Sequence, residues 1–317
     1  MTEKKITKPK KKLMTVAIEK FTFGIESENY VSQWPTDHDC THETRSRVFN
    51  NYNALLIYYR NQVKRHMDNS QFMLHSYPEE KYSSSISAHI HLKANIDEWD
   101  EYSWDFYDRL FDLVNLFQVF FKNSPNKSEK VLSYRHSSGT WCELSKMSKT
   151  RFSQKQREYR ALTTNSGFNT LEFRYNDVPK SLNQLSLFYY LVYLAAEHPE
   201  LNIPKLPKNL KIHKLEEMDA PLNSLFSYKN IKSIQLYKQT YKKILYDFCK
   251  EVDGQVKEKF YDFYNNKHIT FGKLASDSLE YEVKEFKKWF KSSKGTKEWS
   301  DTLKKKFCKT IKVELIK

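Results

Sequence analysis

Three short segments of this chain alternate in a pattern that few folds accommodate. Phe21, Phe23 and Ile25 alternate with Thr22, Gly24 and Glu26, and Glu28 extends the polar side. Ala88, Ile90 and Leu92 alternate with Ser87, His89 and His91, and Leu171, Phe173 and Tyr175 alternate with Thr170, Glu172 and Arg174. Side chains i and i+2 of a strand project from the same face. Each segment is therefore expected to be a strand with one face for packing on helices. The other face of each carries ionisable groups, including cation ligands. Any one of these pairs alone is an ordinary exposed strand face. If the three strands share a sheet, the polar faces merge into a cleft of carboxylates and imidazoles with an arginine beside it.

The rest of the chain supplies helices to cover the apolar side. Residues 49–67 read as a helix, with Tyr52, Leu55, Leu56 and Tyr59 on one stripe. Residues 99–122 form the clearest amphipathic pattern, with Phe106, Leu110, Leu113, Val114, Phe117 and Phe121 at helical spacing. A further helix is expected over 181–197, stopped near Pro199. The first strand is expected over 16–28, followed by a polar loop, SQWPTDHDCTHETRS, and further strands over 71–76, 84–93 and 168–175. Pro204 and Pro207 mark a linker, and helices are expected near 231–250, 255–265, 279–291 and 296–308. The fold class is α+β. A length of 317 residues suits about two domains at ~150 residues each. The divisions are a flexible arm over 1–13, an α+β domain over 14–203, and a mainly helical region over 204–317.

Charge follows the same divisions. Residues 1–13 hold six Lys and one Glu, and residues 204–317 hold 26 Lys and Arg against 15 Asp and Glu, while the middle is near neutral. The basic C-terminal region suits an acidic partner or nucleic acid, or is simply a solvated Lys-rich surface. With only 6 Gly, there is no G-x-x-x-x-G-K and no G-x-G-x-x-G phosphate loop. No apolar run approaches the ~18 residues of a membrane span, and no apolar segment of a secretory signal follows the basic arm. The four widely spaced cysteines make no C-x-x-C and suggest no disulfide frame, which fits a reducing, cytoplasmic setting.

The strand motifs, in this order, resemble the carboxylate–amine ligases of the glutamine synthetase-like fold, the amidoligases, and most nearly their phage-type branch. Gly24-Ile25-Glu26-Ser27-Glu28 looks like the early G-x-E-x-E pair of that family. His42-Glu43-Thr44-Arg45-Ser46 looks like the acidic segment that follows, His89-Ile90-His91 like its H-x-H strand, and Tyr134-Arg135 like its Y-[KR] segment. Arg157 and Arg160 match an arginine loop, and Leu171-Glu172-Phe173-Arg174 matches the closing [IL]-E-x-R strand. The similarity spans residues 14–198. Two departures stand out: Ala88 occupies a position that is often glycine, and Tyr175-Asn176-Asp177-Val178 replaces a run of small residues.

This resemblance implies a curved antiparallel sheet with helices on its outer face, and ATP with Mg²⁺ (or Mn²⁺) on the concave side, in the cytoplasm (the host's, if the chain is viral). It implies an ATP-dependent ligase that joins a carboxylate and an amine, small molecules or peptides, through an acyl phosphate. Glu26, Glu28, Glu43, His89 and Glu172 become metal ligands, Arg135, Arg157, Arg160 and Arg174 phosphate contacts, and His91 a substrate contact. Arg135, Arg160 and Arg174 would also stabilise transition-state charge. The residue chemistry agrees. Carboxylate and imidazole donors suit Mg²⁺ or Mn²⁺, and arginines offset charge on a transferring phosphoryl group. Two other readings stay open. Ser87–Leu92 also resembles the HUH strand of rolling-circle replication nucleases, with Tyr189, Tyr190 or Tyr193 as the nucleophile. The third is a non-catalytic protein that binds nucleic acid or another protein on a degenerate ligase fold.

Overall fold

A computed structural model describes residues 21–30, 41–50, 52–66, 88–94, 101–121, 144–176, 179, 181–206 and 231–278. The expected segments at 71–76, 279–291 and 296–308 lie outside these, as do the arm and Cys40, Cys142 and Cys308. The architecture is mixed α+β. Five strands, β1 (Phe21–Tyr30), β2 (Thr41–Arg45), β3 (Ala88–Ala94), β4 (Leu162–Asn165) and β5 (Thr170–Phe173), form one antiparallel sheet in the order β2-β1-β3-β5-β4. The three motif-bearing strands are thus neighbours, with β3 in the centre.

One face of this sheet is covered by helices α1 (Tyr52–His66), α2 (Glu101–Leu116) and α4 (Leu182–Glu197), with α3 (Lys149–Ser153) packed beside α2. The alternating apolar residues supply the contact. Phe23, Ile25, Ile90, Leu92, Leu171 and Phe173 are all buried. Phe173 stacks on Phe188 of α4 at 4.3 Å, and Phe23 meets Tyr52 of α1 and Tyr189 of α4 edge to face. Such aromatic pairs add about 0.5–1.5 kcal/mol beyond the area they bury. Ser181 caps α4 by accepting a hydrogen bond from Gln184 N, and the helix stops two residues before Pro199.

The described part of the C-terminal region joins this same core. Helix α5 (Ile231–Gln255) presents Tyr241, Leu245, Phe248, Cys249 and Val252 at helical spacing, all buried. Phe117 meets Phe248 and Phe271 edge to face, and Tyr190 meets Phe260. Burial, then the charge of Asp253, pushes the Cys249 thiol up to about 12, so it is a packing residue and not a nucleophile. No described helix is long and apolar enough to cross a membrane.

Two expectations need correction. Part of the polar loop after β1 is strand β2, which pairs with β1 on the edge of the sheet. Its side chains alternate polar with polar, so no hydrophobic period marks it. The helix expected at 255–265 is instead a hairpin of β6 (Phe260–Asp262) and β7 (Lys267–Ile269). Asp262 accepts hydrogen bonds from Tyr264 N and Asn265 N, and Asn266 takes a positive φ of 50°. These local side-chain to backbone bonds offer the chain a turn in place of a helix.

After the hairpin, Thr270 caps a helical segment at 271–278, and Asp253 of α5 accepts from both Thr270 Oγ1 and Gly272 N at 2.7 Å. A Cβ on Gly272 would stand 2.7 Å from Cys249 O and from Asp253 Oδ2, closer than carbon and oxygen approach. Gly272→Ala is therefore expected to destabilise the protein by about 1–3 kcal/mol, the usual cost of overpacking. Denaturant unfolding checks this, and an unchanged midpoint would contradict the packing of α5 against 271–278.

Candidate metal centre

The sheet register brings the ionisable residues together. Glu26 of β1 pairs with His89 of β3, and His91 of β3 pairs with Glu172 of β5. Directly opposed residues in an antiparallel ladder share a face. Glu26, His89 and Glu172 are 5%, 2% and 0% exposed, and each offers one ligand atom within 4.8 Å of the others. His89 Nδ1 lies 3.4 Å from Glu26 Oε2 and 3.2 Å from Glu172 Oε1, bridging the two carboxylates. His91 Nε2 lies 3.6 Å from Glu26 Oε2, while its Nδ1 meets Thr170 Oγ1 at 3.0 Å.

Cations surround the carboxylates. Arg45 Nε donates to Glu26 Oε1 at 2.7 Å from the register-opposed position on β2. Arg174 Nη1 donates to Glu172 Oε1 at 2.6 Å, and Arg157 Nη2 reaches the same oxygen at 3.3 Å. Asn165 Nδ2 donates to Glu172 Oε2 at 2.9 Å. Burial pushes both carboxyls up. For Glu26, hydrogen bonds from His89, His91 and Arg45 outweigh burial and hold it well below 4.5. For Glu172, the hydrogen bond and charge of His89, then Arg174 and Arg157, do the same.

A carboxyl depressed by folding stabilises the folded state above its unfolded value and loses that contribution as pH falls through the folded one. Thermal unfolding of the metal-free protein is expected to be insensitive to these two groups above about pH 5. Its midpoint should fall as pH drops below 4.5, and less steeply in Glu26→Gln than in the parent. Parallel curves for the two proteins would contradict the depressed carboxyl.

The other expected site residues are placed as follows. Glu28 and Glu43 are register partners across β1 and β2, two positions along from the Glu26–Arg45 pair, and their side chains lie outside the description. Arg160 is bonded to Glu158 at 2.6 Å, and Glu158 also holds Arg151. Arg135 lies outside the described residues. Arg45, Asn165, Lys93 and Phe168 also lie at the site, although no sequence motif marks them for it. Arg45 lies inside the quoted acidic segment, but its link to Glu26 needs the β1–β2 register. Asn165 is on β4, whose four residues are all buried and show no alternation.

Tyr189, Tyr190 and Tyr193 are buried on α4, which packs on the apolar face of the sheet. Tyr190 Oη donates to Tyr261 O, and burial pushes all three phenols well above the ordinary tyrosine range. They sit across the sheet from His89 and His91.

Comparison with protein-family models finds no match for this chain. Comparison with curated proteins finds none either.

Proposed function

We propose that this protein is an ATP- and Mg²⁺-dependent carboxylate–amine ligase on a glutamine synthetase-like sheet. The observation that carries the reading is the convergence of Glu26, His89 and Glu172 from three adjacent strands, with Arg157 and Arg174 held against Glu172. A sheet with helices on one face and ligands on the other also suits that fold.

The donor set fits a hard divalent cation. Two ionised carboxylates supply charge and oxygen, and an imidazole is tolerated by Mn²⁺. Glu26, His89 and Glu172 would hold the ion, which offsets the repulsion between a carboxylate and a triphosphate as they approach. Arg174, buried and fixed by Glu172, is positioned without further ordering to face charge that develops on a transferred phosphoryl group. Arg157 is half exposed at the same carboxylate and can follow an incoming phosphate. His91, anchored by Thr170, borders the substrate side.

The nuclease reading fares worse, because its nucleophile must reach a phosphate held by the histidines. The three candidate tyrosines are core residues on the opposite face. Single Phe substitutions at Tyr189, Tyr190 and Tyr193 are expected to change activity by less than about threefold, because each aromatic ring stays packed in the core on the far face of the sheet. The assay supplies ATP, Mg²⁺, a pool of carboxylic acids and hydroxylamine as the amine, and traps any activated acyl group as a hydroxamate. Hydroxamate formation supports the ligase. A single-stranded DNA that becomes covalently attached, and is lost in one Tyr→Phe variant, would overturn it.

A further inference from the structure

Beside the cluster, along the first half of β1, lies a cavity of about 250 Å³. Its walls include Gly24, Glu26, Arg45, His91, Lys93 and Phe168. Gly24 creates room here. A Cβ at this position would make only ordinary contacts, 3.7 Å to Ser46 Oγ and 3.9 Å to His91 Cβ, so a longer side chain would grow into the cavity without a backbone clash.

Among the described wall residues, two cations, Arg45 and Lys93, stand against one carboxylate, Glu26. That carboxylate is already met by Arg45 at 2.7 Å and by the two imidazoles, whereas exposed Lys93 makes no ion pair among the described residues. The excess favours an anion. Phe168, from the turn between β4 and β5, supplies an apolar wall. Its ring lies 5.3 Å from the Arg45 guanidinium carbon and 5.4 Å from the His91 ring, and it is 49% exposed. Its exposure leaves ring surface for a ligand to cover. The volume falls below the roughly 300–1,000 Å³ typical of sites for drug-sized ligands, which limits the occupant to a small molecule.

We infer that this cavity binds a small carboxylic acid with an apolar body, its carboxylate toward Arg45 and Lys93 and its body against Phe168. The inference deepens the ligase reading by naming the class of acid presented to the centre, and rests on it for that role alone. Binding itself needs neither ATP nor metal.

The test is ligand-observed NMR on the full chain in EDTA, with benzoate, benzamide and benzylamine as probes of equal shape and different charge. Benzoate is expected to bind at least ~10-fold more tightly than either, a difference of about 1.4 kcal/mol. Gly24→Val is expected to abolish benzoate binding with its unfolding midpoint unchanged. Lys93→Gln, a change at an exposed residue, is expected to weaken benzoate at least ~3-fold and provides the test if Gly24→Val fails to fold. Absence of benzoate binding, equal binding of benzoate and benzamide, or unchanged benzoate affinity in the folded variants would overturn the assignment. Benzoate binding that shows these dependences, in a protein that forms no hydroxamate with ATP, would keep the cavity assignment and remove the ligase reading.

Discussion

Glu172→Gln and Arg174→Ala are each expected to lower ATP- and amine-dependent phosphate release by at least ~100-fold, the low end for loss of a charge-stabilising group. Glu172 is fully buried and gathers His89, Arg174, Arg157 and Asn165 on its two oxygens. Replacing it with the neutral isostere removes the charge that holds Arg174 in place. Arg174 is itself only 7% exposed in its side chain, so Glu172→Gln strands a buried cation. Breaking a buried pair from one side costs about 3–5 kcal/mol. The activity comparison is therefore made at a temperature where circular dichroism shows each variant folded. Folded variants with parental phosphate release would contradict the placement of these residues at the reacting phosphate.

Glu26→Gln should separate the metal from the scaffold more cleanly. Its partner Arg45 has a side chain 59% exposed, and His89 keeps its contact with Glu172. Little buried charge is stranded, so the loss of stability is expected to be well below that of Glu172→Gln. Turnover should nevertheless fall to background, because metal-borne stabilisation contributes several kcal/mol in sites of this kind. Calorimetric unfolding of the two variants, read beside their ATP turnover, checks the contrast. Equal destabilisation by the two changes, or a Glu26→Gln protein that still turns over ATP, would show that the cluster serves packing alone.

The strands that build the site were legible because their alternation is strict. Phe23 and Ile25, Ile90 and Leu92, and Leu171 and Phe173 must face a core, which leaves Glu26, His89 and Glu172 on the other side. Adjacency of these strands was conditional in the sequence and is now seen in the register. Strand β2 was hidden because all five of its residues, Thr41–Arg45, are polar and carry no hydrophobic period. Strand β4 was hidden for the opposite reason, since Leu162, Thr163, Thr164 and Asn165 are all buried and show no period. Arg45 and Asn165 depend on those two strands, so their contacts with Glu26 and Glu172 were out of reach. A one-residue slip of either pairing would send them to the other face. The hairpin at 260–269 was legible in principle. Asp262, Asn265 and Asn266 are turn formers, but the aromatic run Phe260, Tyr261, Phe263 and Tyr264 imitates a buried helix.

The proposed ligand set for a divalent cation is Glu26, His89 and Glu172. Its most direct test is a titration of the full-length protein with Mn²⁺, followed by the electron paramagnetic resonance signal of the free ion, which needs no substrate. The protein is expected to remove at least one equivalent of Mn²⁺ signal, Mg²⁺ to restore it by competition, and folded Glu26→Gln to remove it far less. A folded parent protein that leaves the Mn²⁺ signal unchanged, or a Glu26→Gln variant that binds as the parent does, would contradict it.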